Sequence, residues 1–148
     1  MQLSPHFTLE EFTFSQTAVR NGLDNTPSPA VIANLQNLCN NLLEPLRLRV
    51  GPIKISSGYR CSLLNKRVGG ASNSDHLYGC AADILVPGMS VYDVACLVRD
   101  EFKYDQVIAE FGRWTHVSLR SNPTQNRMQP LTAMLKDGQT VYVGGILE

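Results

Sequence analysis

Apolar side chains recur at three- and four-residue steps after Ser28, and this spacing is typical of a helix that buries one face. Ser28 suits the N-cap, and Pro29 suits the first helical position. The apolar stripe consists of Ile32, Leu35, Cys39, Leu42 and Leu46. We expect Pro45 to kink the end of this helix and Gly51 to end it.

Three shorter helices are predicted from local signals. In "FTLEEF", Thr8 and Glu11 have the spacing of a capping box, in which each side chain bonds the backbone N–H of the other residue. "SLLNKRVGG" is typical of a short helix ended by glycines. "MSVYDVACLVRDEF" starts with Ser90 and Asp93, a cap followed by an acidic residue, and also predicts a helix.

Branched and alternating segments predict the strands. "IKISS", "CAADILV", "YDQVIAEF" and "WTHVSL" have strand composition, and a turn at Gly112 joins the last two. "LTAMLKDGQTVYVGG" predicts a C-terminal hairpin, residues 131–143, with Asp137 and Gly138 at its turn. The order of elements predicts a single α+β domain, residues 1–148, with N-terminal helices packed on a mainly antiparallel sheet.

The composition is typical of a soluble globular protein. Of 148 residues, 43% are hydrophobic and 18% are charged, which argues against disorder. Thirteen basic and thirteen acidic side chains cancel, so no overall charge favours nucleic acid as a partner. No apolar run is long enough for a membrane span, so membrane insertion is not expected either.

The N-terminus, "MQLSPHFTLEEF", lacks the basic start and apolar core of a signal peptide. We therefore expect synthesis in the cytoplasm, where thiols stay reduced. The four cysteines have no C-x-x-C spacing, so they predict neither disulfides nor a zinc knuckle; they are Cys39, Cys61, Cys80 and Cys96.

Two residues of the segment "SDHLYGCAAD" are candidates for metal chemistry, His76 and Asp83. Asp83 follows two alanines in an apolar run, where an unpaired buried carboxylate would be costly. It must therefore be hydrogen-bonded, ion-paired or metal-bound. His76 lies in a Gly/Ser/Asn-rich loop, and the spacing alone leaves open whether it is a ligand or a solvated loop histidine.

A third candidate, His116, lies in the strand "WTHVSL". Alternation places Trp114, His116 and Ser118 on one face of this strand and Thr115, Val117 and Leu119 on the other. A polar strand face needs an explanation, and a binding site would supply one. His6 is far from these motifs in the sequence, and we interpret it as a non-ligand.

Three motifs in this order resemble those of the zinc D-Ala-D-Ala carboxypeptidase-like metallopeptidases, the M15 peptidases, and more narrowly their small single-domain phage and prophage members. They are S-G-Y-R at 57–60, S-x-H-x-x-G-x-A-x-D at 74–83 and W-x-H at 114–116. The opening "HFTLEEF" is similar as well. The resemblance runs from His6 to Leu119, with its core motifs in residues 55–119, and the C-terminal hairpin adds little to it.

The resemblance implies that His76, Asp83 and His116 hold one Zn²⁺. Two imidazoles and one carboxylate leave the ion Lewis-acidic, with a fourth position for water. Zinc lowers the pKa of that water toward neutrality, which makes a nucleophile at ordinary pH.

The general base that the chemistry requires is assigned to Glu110, six residues before His116. Related folds, including the zinc-bearing Hedgehog domain, are similar in carrying a glutamate at about this distance from the last histidine. Other family members carry it three residues before, where this chain has Arg113. The alternative is that Glu110 is a solvated glutamate at a strand end.

The resemblance also places Arg60 near the substrate. A guanidinium there could bind a terminal carboxylate bidentately or polarise the scissile carbonyl, and a structural ion pair is the alternative. Ser74 would bond the substrate or the loop backbone. Asp75 would tune the loop or stay in solvent, and Trp114 would form a wall of the site or part of the core.

The resemblance implies a zinc metallopeptidase that hydrolyses peptidoglycan stem peptides, either as a D-Ala-D-Ala carboxypeptidase or as an endolysin-type endopeptidase, and we expect a monomer. Without a signal peptide, it would reach the cell wall through phage lysis or as part of a virion. The alternative function is a non-catalytic zinc-binding module of Hedgehog-like fold, for example one that assembles a virion.

Overall fold

The computed structural model describes residues 1–148. Its α-helices are α1 (Leu9–Thr13), α2 (Gln16–Arg20), α3 (Pro29–Leu38), α4 (Glu44–Val50), α5 (Ser62–Arg67) and α6 (Val91–Glu101). Its strands are β1 (Gln2–Ser4), β2 (Phe7–Thr8), β3 (Lys54–Ser57), β4 (Ala81–Leu85), β5 (Gln106–Glu110), β6 (Trp114–Ser118), β7 (Gln129–Lys136) and β8 (Gln139–Gly144).

Six strands form one mixed sheet in the order β3-β4-β6-β5-β7-β8. All neighbours are antiparallel except β5 and β7, which run parallel. Together with the helices, the sheet makes an α+β domain, as the sequence predicts. No helix has the length and apolar character needed to cross a membrane.

The helix signals read from the sequence are confirmed. Thr8 and Glu11 form the capping box of α1, and the side chains of Ser28 and Ser90 cap α3 and α6. The predicted stripe packs into the hydrophobic core, where Leu35, Cys39, Leu42 and Leu46 are fully buried.

The long helix changes geometry just before Pro45, where a kink is expected. A π-helical turn, Cys39–Leu43, separates α3 from α4, and the backbone N–H of Glu44 donates to the carbonyl of Cys39. Proline has no N–H for the carbonyl four residues earlier, and the wider turn accommodates its ring. Gly51 ends α4 with a φ of 82°, as expected.

One face of the sheet belongs to the core and the other carries polar residues. Core side chains on the first face come from β4, β5 and β6, and α6 packs there, with Thr115 Oγ1 donating to the carbonyl of Val91 at 3.3 Å. Asp83 and His116 point to the opposite face, because they alternate with the core residues Ala82, Ile84 and Val117. The alternation predicted for "WTHVSL" is therefore confirmed.

Several elements escaped the sequence analysis. The β1–β2 hairpin has strands of three and two residues, and α2 has five, so they are too short to show periodicity. The loop expected around His76 contains a 3-10 helix, Asp75–Tyr78. The hairpin expected at 131–143 is formed by β7 and β8, which extend slightly beyond those limits. All four cysteines are free.

Candidate metal centre

Three side chains that are distant in sequence converge on the polar face of the sheet. Asp83 on β4 and His116 on β6 are direct partners across the two strands, and His76 reaches them from the 3-10 helix. His76 Nε2 lies 3.2 Å and His116 Nδ1 3.1 Å from Asp83 Oδ1. All three side chains are buried, and their potential ligand atoms lie within 4.8 Å of one another.

The ring of His76 is oriented by the backbone. Its Nδ1 lies 2.7 Å from the carbonyl oxygen of Gly58, and because a carbonyl only accepts, Nδ1 carries the proton and donates. Nε2 then faces Asp83 and His116: in the protonated ring it donates to Asp83, and in the neutral ring it offers a lone pair to a metal ion. A bond of this kind fixes the tautomer and raises the basicity of metal-ligating histidines.

Gly58 is a glycine because α1 passes directly over it. A Cβ at this position would lie 2.6 Å from both the Cα and the carbonyl oxygen of Phe12. The neighbouring amides continue the contact, with Tyr59 N donating to Phe12 O at 2.7 Å and Arg60 N donating to His76 O at 3.1 Å. The S-G-Y-R motif therefore holds the backbone around His76 as well as placing Arg60.

Gly79 makes the passage from His76 to Asp83 possible. It ends the 3-10 helix in the left-handed backbone conformation, with a φ of 74°. Residues other than glycine rarely adopt this conformation. A Cβ here would also lie 2.7 Å from the carbonyl oxygen of Val31. The chain thus turns tightly under α3 and enters β4 with Asp83 facing the histidines.

The charges at this centre favour a cation. Burial alone would raise the pKa of Asp83, but the charges and hydrogen bonds of His76 and His116 outweigh it and hold that pKa well below its usual range. Burial lowers the pKa of His116, yet its hydrogen bond to Asp83 and the charge of that carboxylate raise it overall. An ionised carboxylate between two imidazoles is stable here only with positive charge close by.

The donor set and its spacing fit zinc. Two nitrogens and one carboxylate oxygen are ligands typical of catalytic zinc sites. Ligand atoms about 2.0–2.1 Å from a tetrahedral ion lie about 3.3 Å apart, and the distances from Asp83 to the two histidines are close to this value. The centre can therefore hold such an ion without a large rearrangement of these residues.

Glu110 lies on the same face of the sheet as the three candidate ligands. It is the last residue of β5 and pairs with Trp114 across the turn. The indole N–H of Trp114 donates to Glu110 Oε2 at 2.7 Å. Burial raises the pKa of Glu110, and the negative charge of Asp83 adds to this. Trp114 therefore orients the carboxylate and also lines the site. Arg113 is exposed in the turn.

Arg60 lies at the edge of the centre with its guanidinium largely buried. Its Nη2 is 4.0 Å from Asp83 Oδ2, and its Nε is buried with no hydrogen-bond partner. Burial lowers the pKa of Arg60, whereas Asp83 and Glu110 act in the opposite direction. An arginine with unused donors in a cleft has capacity left for an anionic or carbonyl ligand.

A cleft of about 730 Å³ contains all of these groups. It is lined by the three candidate ligands and Glu110, and also by apolar side chains, among them Phe14, Val68, Phe111 and Trp114. Ser74 also borders the cleft, but its hydroxyl accepts from the backbone N–H of His76 at 3.2 Å. Its observed contact is therefore to the loop backbone.

Of the two alternatives for Asp75, a role in the loop or a position in solvent, the structure excludes the second. It is buried, and its carboxylate lies 3.4 Å from Arg120 Nη1 and 3.7 Å from Arg127 Nη2. Both arginines also bind Asp105, at 3.1 and 2.8 Å. These four residues, here called the ion network, tie the 3-10 helix that carries His76 to the segment between β6 and β7.

The ion network predicts a loss of stability in acid. Burial alone would raise the pKa of Asp105, but hydrogen bonds from Arg127 and the charges of both arginines lower it from 3.8 to about 2. A lowered pKa contributes stability above pH 4 that is lost as the pH falls toward 2. At pH 7, the free energy of unfolding of Asp105→Asn should be about 1.5–3 kcal/mol lower than that of wild type. Between pH 4 and 2, the free energy of unfolding should fall less in this variant than in wild type.

Urea unfolding followed by circular dichroism measures this effect, with metal-free protein so that the linkage of metal binding to pH does not contribute. Asp100→Asn is the matched control, because Asp100 is exposed on α6 and pairs only with Arg99 among the charged groups. Equal acid sensitivity of Asp105→Asn and wild type would contradict the role of the network.

The cleft thus combines a buried His-Asp-His set, a carboxylate held by an indole and an arginine with unused donors, which is a chemistry of metal-assisted hydrolysis. The sequence profile of the family described as peptidase M15 matches residues 5–118. The chain belongs to this family.

Part of the chain also matches a curated protein, the zinc D-Ala-D-Ala carboxypeptidase of Streptomyces albus G. The two are 48% identical over 44 residues, which is 28% of this chain and 17% of that protein. The chain therefore matches less than a fifth of the length of this relative.

Proposed function

We propose that the protein is a zinc-dependent peptidase that hydrolyses peptide bonds in peptidoglycan stem peptides, with His76, Asp83 and His116 holding one Zn²⁺. The observation that carries this proposal is the convergence of these three side chains beside Glu110 in one open cleft. Membership of the M15 family and the similarity to a zinc D-Ala-D-Ala carboxypeptidase support it.

Bound zinc would supply a Lewis acid that activates water and polarises the scissile carbonyl. Glu110 accepts the proton of the attacking water on its carboxylate and then donates it to the leaving amine. Burial and the negative charge of Asp83 raise the pKa of Glu110, which is the direction that helps a carboxylate to take up a proton and return it. The indole of Trp114 keeps the carboxylate aimed at the centre while the proton is transferred.

Arg60 binds the carboxyl side of the substrate. A peptide cut near its end presents a carboxylate, and the unused donors of Arg60 are close to the centre. The same group could bind an internal side-chain or backbone oxygen if the enzyme is an endopeptidase. In either case the protein would act at the cell wall after release from the cell in which it is made, during phage lysis or from a virion.

The direct test is incubation of zinc-loaded protein with purified peptidoglycan and with a stem pentapeptide, followed by mass spectrometry of the fragments. Release of terminal D-Ala alone identifies a carboxypeptidase, and cut stems or cross-links identify an endopeptidase. If zinc-loaded protein cleaves neither substrate, the proposed peptidase function is wrong and a non-catalytic metal-binding module becomes the better interpretation.

Arg60→Lys is expected to raise KM about tenfold or more for a stem peptide with a free carboxyl terminus, because lysine keeps the charge but not the two parallel N–H donors. Steady-state kinetics measures this change, with the same peptide amidated at its carboxyl end as the control substrate. The amidated peptide should show no difference between the two proteins. A fall in kcat at constant KM would instead assign Arg60 to the scissile carbonyl.

A further inference from the structure

The C-terminal hairpin formed by β7 and β8 lies beyond residue 118, where the match to the family ends. It is nevertheless part of the sheet that carries the candidate metal centre, because all of β5 pairs with the first part of β7, residues 129–133. The backbone N–H of Phe111, in the turn after Glu110, also donates to the carbonyl of Ala133 at 3.0 Å. The hairpin is thus fixed directly beside the proposed general base.

The register of the strands brings one residue of β8 into line with Glu110. Trp114 pairs with Glu110, Glu110 with Ala133, and Ala133 with Tyr142. Paired residues of neighbouring strands point to the same face of a sheet. Tyr142 therefore points to the face that carries the centre, with only the small Ala133 between it and Glu110.

One side chain of β8 lines the cleft, and Tyr142 lies on the same face of that strand. Thr140, two residues before Tyr142 and on the same face, lines the cleft together with Glu110 and the candidate ligands. Tyr142 is 54% exposed. Partial burial raises the pKa of its hydroxyl, and the charges of Glu110 and Asp83 raise it further, which agrees with a position near the two carboxylates.

Arg60 and Tyr142 lie on opposite sides of the centre. Arg60 follows β3 at one edge of the sheet, Tyr142 is on β8 at the other, and the strands of Asp83, His116 and Glu110 lie between them. Glu110 and Tyr142 are two strand spacings apart, about 10 Å. An extended peptide covers this distance with about three residues, at 3.3–3.6 Å per residue.

Resting on the function proposed above, we infer that Thr140 and Tyr142 bind the part of the peptide substrate about three residues from the scissile bond on its amino-terminal side. The hydroxyl of Tyr142 donates a hydrogen bond to an oxygen of the peptide, and its ring packs on the chain. The hairpin thereby makes the enzyme prefer long substrates over dipeptides. These two side chains take no part in the chemical step.

The test combines variants of Tyr142 with substrates of different length. Stem peptides that share one carboxyl end are shortened a residue at a time from the amino end, and kcat and KM are measured for wild type, Tyr142→Phe, Tyr142→Ala and Thr140→Val. For the pentapeptide, loss of one hydrogen bond in Tyr142→Phe should raise KM about 2- to 10-fold. Tyr142→Ala should raise it about tenfold or more, with kcat unchanged. For the dipeptide, no variant should differ from wild type.

Calorimetry with the Glu110→Gln protein, alone and combined with Tyr142→Ala, measures binding of the intact pentapeptide without cleavage. Tyr92→Phe is the matched control, because Tyr92 lies on α6, which packs on the opposite face of the sheet. Zinc content and thermal unfolding verify that each variant is folded.

The inference is overturned if Tyr142→Ala binds and cleaves the pentapeptide like wild type. It is also overturned if kcat/KM of this variant falls by the same factor for the pentapeptide and the dipeptide. If wild type cleaves no peptide, the proposed function fails separately, and calorimetry then decides the inference. Pentapeptide binding that depends on Tyr142 supports it, and absence of binding, or binding independent of Tyr142, overturns it.

Discussion

Glu110→Gln is expected to lower kcat by about 10²–10⁴-fold, the range typical of a lost general acid–base group, while zinc remains bound. Glutamine keeps the shape of the side chain and its oxygen can still accept from the indole N–H of Trp114. It cannot take a proton from water at neutral pH. The variant therefore removes the proton transfer and leaves the cleft and its metal ligands in place.

Single-turnover cleavage of a stem pentapeptide measures the effect, and metal analysis verifies one zinc per chain. Glu101→Gln is the matched control, since Glu101 is exposed at the end of α6 and pairs with Arg49; it should behave like wild type. If Glu110→Gln turned over substrate at the wild-type rate, another group would have to move the proton.

Asp83→Ala is expected to abolish zinc binding under ordinary conditions and to reduce cleavage to the uncatalysed background. Losing a partner that merely orients a ligand costs 10–100-fold in metal affinity, and loss of a ligand itself should cost more. In addition, the two histidines would lose the negative charge that lies 3.1–3.2 Å from each of them.

Thermal unfolding with and without zinc measures this prediction, because an ion that binds only the folded state raises the melting temperature. Wild type should be stabilised by zinc, and Asp83→Ala should not be. A chelator should inactivate wild type, and added zinc should restore it. His6→Ala is a control for non-specific zinc binding, because His6 pairs with Glu44 away from the centre. Stabilisation of Asp83→Ala by zinc as strong as in wild type would contradict the assignment.

Local signals account for the parts of the fold that the sequence analysis predicted correctly. The capping residues Thr8, Ser28 and Ser90 act within three or four residues of their own position. Their effect can therefore be predicted from the local sequence. The same is true of the apolar stripe in α3 and of the alternation in β6. The parallel pairing of β5 with β7 could not be read in this way, because it depends on the path of residues 119–128 between β6 and β7.

The sequence by itself determined most of the helices and strands, the α+β class and, through three motifs in order, the resemblance to the M15 peptidases. Spacing did not select His76 over a solvated histidine; the motifs did. Only the tertiary structure decided the environment of each group: the carbonyl of Gly58 on His76, the indole of Trp114 on Glu110, and the burial of Asp75. These contacts are made by backbone atoms or by side chains that folding brings together. They cannot be predicted from the type of a residue, because residue type does not determine which atoms lie next to it in the folded chain. The position of Tyr142 beside the cleft has the same origin, because strand register between distant segments is set by the packing of the whole sheet.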